Sequence, residues 1–162
     1  MDPLTDLLNR RGIEEHAKAL ISEAKRHNTN LFLALIDLDY FKNINDTYGH
    51  STGDEVLRHF AAIAKDEFRQ EDSIGRFGGE EFLVFIKGVD KEEGMNILSR
   101  FRERISKTSI ASEKNESVQF TCSIGATSLS EHDKELDDLV RRADKALYMI
   151  KENGRNQLLF LR

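Results

Sequence analysis

The chain has no tryptophan, one proline (Pro3) and one cysteine (Cys122). A single thiol cannot close an internal disulfide, so a cross-linked scaffold of the small secreted kind is excluded. Cys122 lies in the apolar stretch Val118 to Ala126, where a buried, inert thiol is a better reading than a nucleophile. With so little proline there is little room for a disordered linker. No run approaches the roughly 18 apolar residues of a membrane span, and the N-terminus lacks the charged-then-apolar order of a secretory signal. This segment is therefore expected in the cytoplasm, without direct membrane contact. Positive charge is not in excess either: 24 Lys and Arg against 29 Asp and Glu give a net charge of −5. That balance argues against general nucleic-acid binding and leaves room only for a local basic pocket. There is no Gly-x-x-x-x-Gly-Lys phosphate loop, and His16, His27, His59 and His132 share no metal-ligand spacing.

What is present suits one globular domain over residues 1–162: 39% apolar and 33% charged residues describe a packed interior under an ordinary charged surface. Gly12 to His27 spaces Ile13, Ala17, Leu20, Ile21 and Ala24 as one face of a helix. Leu31 to Ile36 is apolar without alternation, as in a strand buried on both faces, and stops at Asp37-Leu38-Asp39. A short helix is expected over Phe41 to Tyr48 and a longer one over Gly53 to Phe68, with Gly49 to Thr52 as turn and cap between them. Ser73 to Phe77 and Glu81 to Ile86 flank Gly78-Gly79, which reads as a β-hairpin closed by glycines that tolerate positive φ. Glu92 to Ser106 and Leu136 to Ile150 are amphipathic helices, the second with Gly154 as its stop. Strands are expected at Val118 to Ala126 and Leu158 to Leu161, with a polar loop before the first. The order α-β-α-α-β-β-α-β-α-β points to an α+β fold, a mixed sheet with helices packed on it.

Asp37 and Asp39, two apart at a strand end, can offer hard oxygens to Mg²⁺, and Glu80 and Glu81 add carboxylates at the hairpin turn. Clustered carboxylates repel unless a cation neutralises them, so the two groups together suggest a two-metal phosphoryl-transfer site; solvated or helix-capping acids are the bland alternative. Lys151 and Arg155 at a helix end either complement its dipole or hold phosphates. Asn45, His50 and Asp54 have capping roles available, although Asn and Asp can also read a guanine edge.

The run Gly78-Gly79-Glu80-Glu81-Phe82 resembles the signature of the GGDEF family of diguanylate cyclases, in the variant with Glu in third place. The resemblance extends over nearly the whole chain. Asp2-Pro3-Leu4-Thr5-Asp6-Leu7-Leu8-Asn9-Arg10-Arg11 resembles the family's opening segment, and Asp37 to His50 its metal and nucleotide segment. Arg142-Ala143-Asp144-Lys145-Ala146-Leu147-Tyr148, running on to Lys151 and Gly154-Arg155-Asn156, is similar to its closing helix. The resemblance implies a central, largely antiparallel sheet wrapped by helices, similar to the palm of adenylyl cyclases and polymerases. It implies that two GTP are condensed into cyclic di-GMP and two pyrophosphates with Mg²⁺, or Mn²⁺ in its place.

By the same resemblance, Asp37, the carbonyl of Leu38 and Glu80 bind the metal, Glu80 helps to deprotonate the attacking hydroxyl and Glu81 supports the site. Asn45 and Asp54 recognise guanine, His50 lines the pocket, and Phe41, Lys42, Lys151 and Arg155 hold phosphates. Arg69 and Asp72, in Arg69-Gln70-Glu71-Asp72, resemble the family's product-inhibition site, with Arg100 as a further partner. Each domain of the family carries one GTP, so a homodimer is implied. The isolated module, read as excised from a larger regulatory protein, is expected to be largely monomeric. The chain departs from many relatives at Ser51, where they carry Asp. A non-catalytic receptor for GTP or cyclic di-GMP, or a cyclase making a mixed cyclic dinucleotide, are the alternatives.

Overall fold

The computed structural model describes all 162 residues. Its helices are α1 (Arg10–His27), α2 (Phe41–Tyr48), α3 (His50–Glu67), α4 (Lys91–Ser106) and α5 (Leu136–Glu152). Its strands are β1 (Leu31–Leu38), β2 (Ser73–Arg76), β3 (Glu81–Lys87), β4 (Ser109–Ala111), β5 (Ser117–Gln119), β6 (Cys122–Ser128) and β7 (Leu158–Phe160). Five strands form the main sheet in the order β2-β3-β1-β6-β7, antiparallel except for the parallel pair β6 and β7. The α+β class and the mixed, largely antiparallel sheet read from the sequence are what the chain adopts.

β1 is the middle strand because all eight of its residues are buried. Its side chains alternate between two cores. Phe32, Ala34, Ile36 and Leu38 join Val56, Phe60 and Phe101 under α3 and α4, while Leu31, Leu33 and Leu35 meet Ile13, Ala17, Leu139 and Leu147 of α1 and α5. On the first face the Phe60 ring packs tilted at 4.4 Å from Phe82 and edge-on at 5.4 Å from Phe101, joining α3, β3 and α4. Such ring pairs add about 0.5–1.5 kcal/mol each beyond their burial. No helix is long and apolar enough to cross a membrane.

Several expected boundaries move. β1 runs two residues further, through Asp37 and Leu38, so the acid lies inside the ladder, opposite Glu81 and Ser123. α3 begins at His50, and Gly49 alone makes the link from α2, at φ 95°. Gly78 and Gly79 are absent from the positive-φ positions, so the reason given for them from turn chemistry fails. The expected strand Val118 to Ala126 divides into β5 and β6, and β5 pairs with β4 as a separate two-stranded sheet where a polar loop was expected. β4 is three residues long with one buried apolar side chain, Ile110, too short for periodicity to register. The helix stop at Gly154 holds, at φ 103°.

α5 lies very close to β6. A Cβ on Gly125 would stand 2.1 Å from the backbone oxygen of Ala143, an atom that cannot swing aside. Gly125→Ala is expected to destabilise the fold by about 3 kcal/mol, read as a lower urea midpoint at unchanged m-value.

Candidate active site

The ladder that buries β1 also sets its acids against the hairpin. Asp37 lies opposite Glu81 in β3, and the next residue, Leu38, donates its backbone N–H to the carbonyl of Glu80 at 3.1 Å. Asp37 is only 7% exposed, and the Lys151 ammonium of α5 meets its carboxylate at 2.5 Å. Burial pushes the Asp37 carboxyl above its ordinary value and the neighbouring Asp39 adds to this, outweighing the downward pull of Lys151 and Arg155. The Glu81 carboxyl is raised too, first by burial and then by Asp37, with Asp144 and Glu80 contributing. Acids from β1, the hairpin and α5 thus share one field with two cations. Sequence reading missed Asp144, although its seven-residue spacing from Lys151 puts both on one helix face.

The donor set is of hard oxygens, with no sulfur or imidazole, which fits Mg²⁺ or Mn²⁺. The raised carboxyls are those whose repulsion a cation would relieve. Asp37, Glu80 and Glu81 are not drawn into a three-ligand cluster; the ammonium of Lys151 neutralises Asp37 instead.

Asp39 does not share this role, contrary to the reading from its spacing. It is 3% exposed and accepts from the hydroxyls of Thr121 at 2.7 Å and Ser123 at 2.6 Å, and from the backbone N–H of Asn156 at 3.0 Å. Arg155 lies with its guanidinium over the Tyr40 ring, 4.7 Å from the centroid.

The hairpin turn is braced from outside, by contacts that no local signal announces. Arg76 donates to the carbonyl of Gly79 at 2.8 and 3.1 Å and pairs with Asp2 at 3.3 Å. Burial works to raise the Asp2 carboxyl, but hydrogen bonds from Thr5 and the charge of Arg76 hold it below the usual range. Arg10 lies 4.1 Å over the Phe77 ring and donates to the Phe77 carbonyl at 3.2 Å. The opening segment of the chain therefore sets the position of the loop that carries Glu80.

α2 begins three residues after β1 and places Phe41 half-buried and Lys42 exposed beside the acids' end of the sheet. Asn45 lies on α2 and Asp54 on α3, the helix that follows it after Gly49. The side-chain oxygen of Asn45 is buried without a hydrogen-bond partner, and a Cβ on Gly53 would stand 1.8 Å from it. Gly53 thus makes the space in which Asn45 lies. Asp54 is half-exposed just past the first turn of α3, and His50 is exposed at its start.

Arg69 and Asp72 are together elsewhere on the molecule. Arg69 bonds Asp72 through its backbone N–H at 3.0 Å and its guanidinium at 3.0 and 3.3 Å, and donates to the carbonyl of Lys87 at 2.8 Å. Arg100 is not brought to them; it pairs with Glu67 at 3.3 Å. A groove of about 800 Å³ runs past Arg69 and Asp72 along Leu8, His16, Lys65 and Phe68, away from Asp37 and Glu81. Cys122 is fully buried, which pushes its thiol up and leaves it inert, as its apolar setting suggested.

Comparison with known proteins gives a consistent result. The sequence model of the family described as "Diguanylate cyclase, GGDEF domain" matches residues 1–157. Diguanylate cyclase DosC of Escherichia coli strain K12 is 39% identical over 158 residues, 98% of this chain and 34% of that protein. Diguanylate cyclase DgcP of Pseudomonas aeruginosa is 40% identical over 157 residues, 97% of this chain and 23% of that one. The chain thus spans about a third or less of these relatives. Among solved structures, the GGDEF domain of DgcB from Caulobacter crescentus, in complex with c-di-GMP, superposes with a TM-score of 0.94 at 31% identity, covering 99% of this chain and 94% of that one. The active GGEEF domain of a diguanylate cyclase from Vibrio cholerae gives a TM-score of 0.89 at 35% identity, covering 97% and 99%.

The raised carboxyl of Glu81 generates a prediction. The folded state holds that proton more tightly than the unfolded chain does, so ionised Glu81 weakens the fold at neutral pH. The penalty is relieved as pH falls through the raised value into the ordinary carboxylate range. Glu81→Gln is expected to raise the thermal midpoint of the ligand-free chain at neutral pH, and the gap from the unmodified chain to close as pH falls.

Proposed function

The chain belongs to the diguanylate cyclase GGDEF domain family, and from that membership we propose that it condenses two GTP into cyclic di-GMP, releasing two pyrophosphates, in the cytoplasm. The observation that carries the reading is the convergence of Asp37, Glu80 and Glu81 with Lys151 and Arg155 at one end of β1. Acids that destabilise one another, beside cations suited to phosphates, make sense as a nucleotide and metal site.

In this reading Asp37, the Leu38 carbonyl and Glu80 hold Mg²⁺ or Mn²⁺. The metal, when bound, supplies acidification of the 3′-hydroxyl and stabilisation of charge on the α-phosphate and the leaving pyrophosphate. Glu80 takes the proton of the attacking hydroxyl, from a loop that Arg76 and Asp2 keep in place. Glu81 supports the site from across the ladder. Lys151 exchanges its carboxylate partner for a phosphate oxygen, and Arg155, with Phe41 and Lys42 at the start of α2, completes the phosphate hold.

Asp54 accepts from the amino and imino groups of guanine, and Asn45, set by Gly53, meets the same base, with His50 at the rim. Ser51, exposed on α3, leaves this arrangement intact. Each copy brings one GTP, so both phosphodiester bonds form only where two copies face each other. Product inhibition is supported by the Arg69 and Asp72 pair beside the large groove.

Incubation with GTP and Mg²⁺, with the chain dimerised through an added coiled coil, is expected to yield cyclic di-GMP by mass. Glu80→Gln is expected to reduce the rate about a hundredfold or more. No product from the dimerised chain would overturn the catalytic reading in favour of a receptor. In the same assay, added cyclic di-GMP is expected to slow the reaction and Arg69→Ala to abolish that inhibition; a rate indifferent to added product would remove the inhibitory site.

A further inference from the structure

The turn that carries Arg155 is conformationally costly. Gly154, Arg155 and Asn156 all have positive φ, at 103°, 62° and 50°, and the last two pay a steric penalty for it because they carry side chains. Such a turn persists where its surroundings over-determine it. The backbone N–H of Asn156 donates to Asp39 and to the Ser123 hydroxyl, each at 3.0 Å. Asp39 is held in turn by Thr121 and Ser123, which leaves its carboxylate committed to the turn. The next residue, Tyr40, is itself left-handed at φ 54° and is 57% exposed, with the Arg155 guanidinium 4.7 Å above its ring.

From this arrangement we infer that Asp39 and Tyr40 are positioning residues for Arg155, the acid fixing the backbone of the turn and the ring fixing the guanidinium over the start of α2. The arginine is thereby presented near Asp37, whose carboxyl feels its charge. A flexible side chain would have to be ordered when a triphosphate arrives; one already resting on a ring is ordered beforehand. Tyr40 contributes its aromatic face, so phenylalanine serves as well and an aliphatic residue does not. The inference rests on the proposed role of Arg155 in holding phosphates, and its contact half can be tested apart from that role.

Two measurements on the full chain test it. In GTP titrations of the coiled-coil dimer, Tyr40→Leu is expected to raise the half-saturating GTP concentration about two- to fivefold, more than it lowers the maximal rate. Tyr40→Phe is expected to restore the unmodified value, and Tyr40→Leu to add nothing once Arg155→Ala is present. By NMR without nucleotide, the Arg155 Nε–H proton is expected upfield, under the ring current, in the unmodified chain and in Tyr40→Phe. It is expected at an ordinary position in Tyr40→Leu, and Asp39→Asn is expected to shift the Asn156 amide. A Tyr40→Phe variant as impaired as Tyr40→Leu, additive losses with Arg155→Ala, or an Arg155 signal indifferent to Tyr40→Leu overturns the inference. A dimer that makes no cyclic di-GMP while the NMR shifts appear as expected defeats the proposed function and leaves the positioning contact standing.

Discussion

A strand buried along its whole length cannot end in a carboxylate without compensation, and the meeting of Asp37 with Lys151 supplies it. Six apolar residues lead into Asp37, and the ladder puts a second acid, Glu81, directly across from it. Both carboxyls are pushed up by burial, so the end of the sheet is a place where charge is retained at a cost to stability. α5 must deliver Lys151 to this point, which explains why it lies so close on β6 that only glycine fits at residue 125. Packing and electrostatics of the site are therefore one problem: the close approach of α5 to the sheet is what allows acids to stand at the end of β1.

The hairpin is held by a second device. Its turn makes few bonds of its own beyond those closing it on Glu81, and its fixed point is the Gly79 carbonyl, which takes two bonds from Arg76. Arg76 is anchored by Asp2, and the segment after Asp2 adds a bridge from Leu8 to Gly75. A stretch that looks like a tail is thus a structural part of the hairpin turn's support. Neither glycine of that loop is required by φ; a Cβ on Gly79 would meet nothing within 4 Å, whereas one on Gly78 would stand 3.3 Å from the Glu81 carboxylate.

Much of this was legible in the sequence, for identifiable reasons. The unbroken apolar run of β1 gave away a central strand, and the helical stripes of α1, α4 and α5 gave away their buried faces, because long periodic segments carry their own signal. The acids at 37, 80 and 81 and the cations at 151 and 155 were found from charge at element ends. Asp39 was misread because spacing reports which face a side chain takes and is silent about its hydrogen-bond donors, here Thr121 and Ser123 more than eighty residues away. β4, and the break that separates β5 from β6, escaped because short strands pair through the backbone. Arg76 and Asp2 escaped because a brace between residues 74 positions apart leaves no local pattern.

The ion pair at the heart of the site joins residues 114 positions apart. Everything from α2 to β6 lies between the acid and its counter-charge along the chain. Without α5, ionised Asp37 and Glu81 would face each other across the β1–β3 ladder with no ammonium beside them. The acid end of the sheet and the last helix are thus coupled, so a change that loosens α5 on β6 is felt at Asp37 and Glu81.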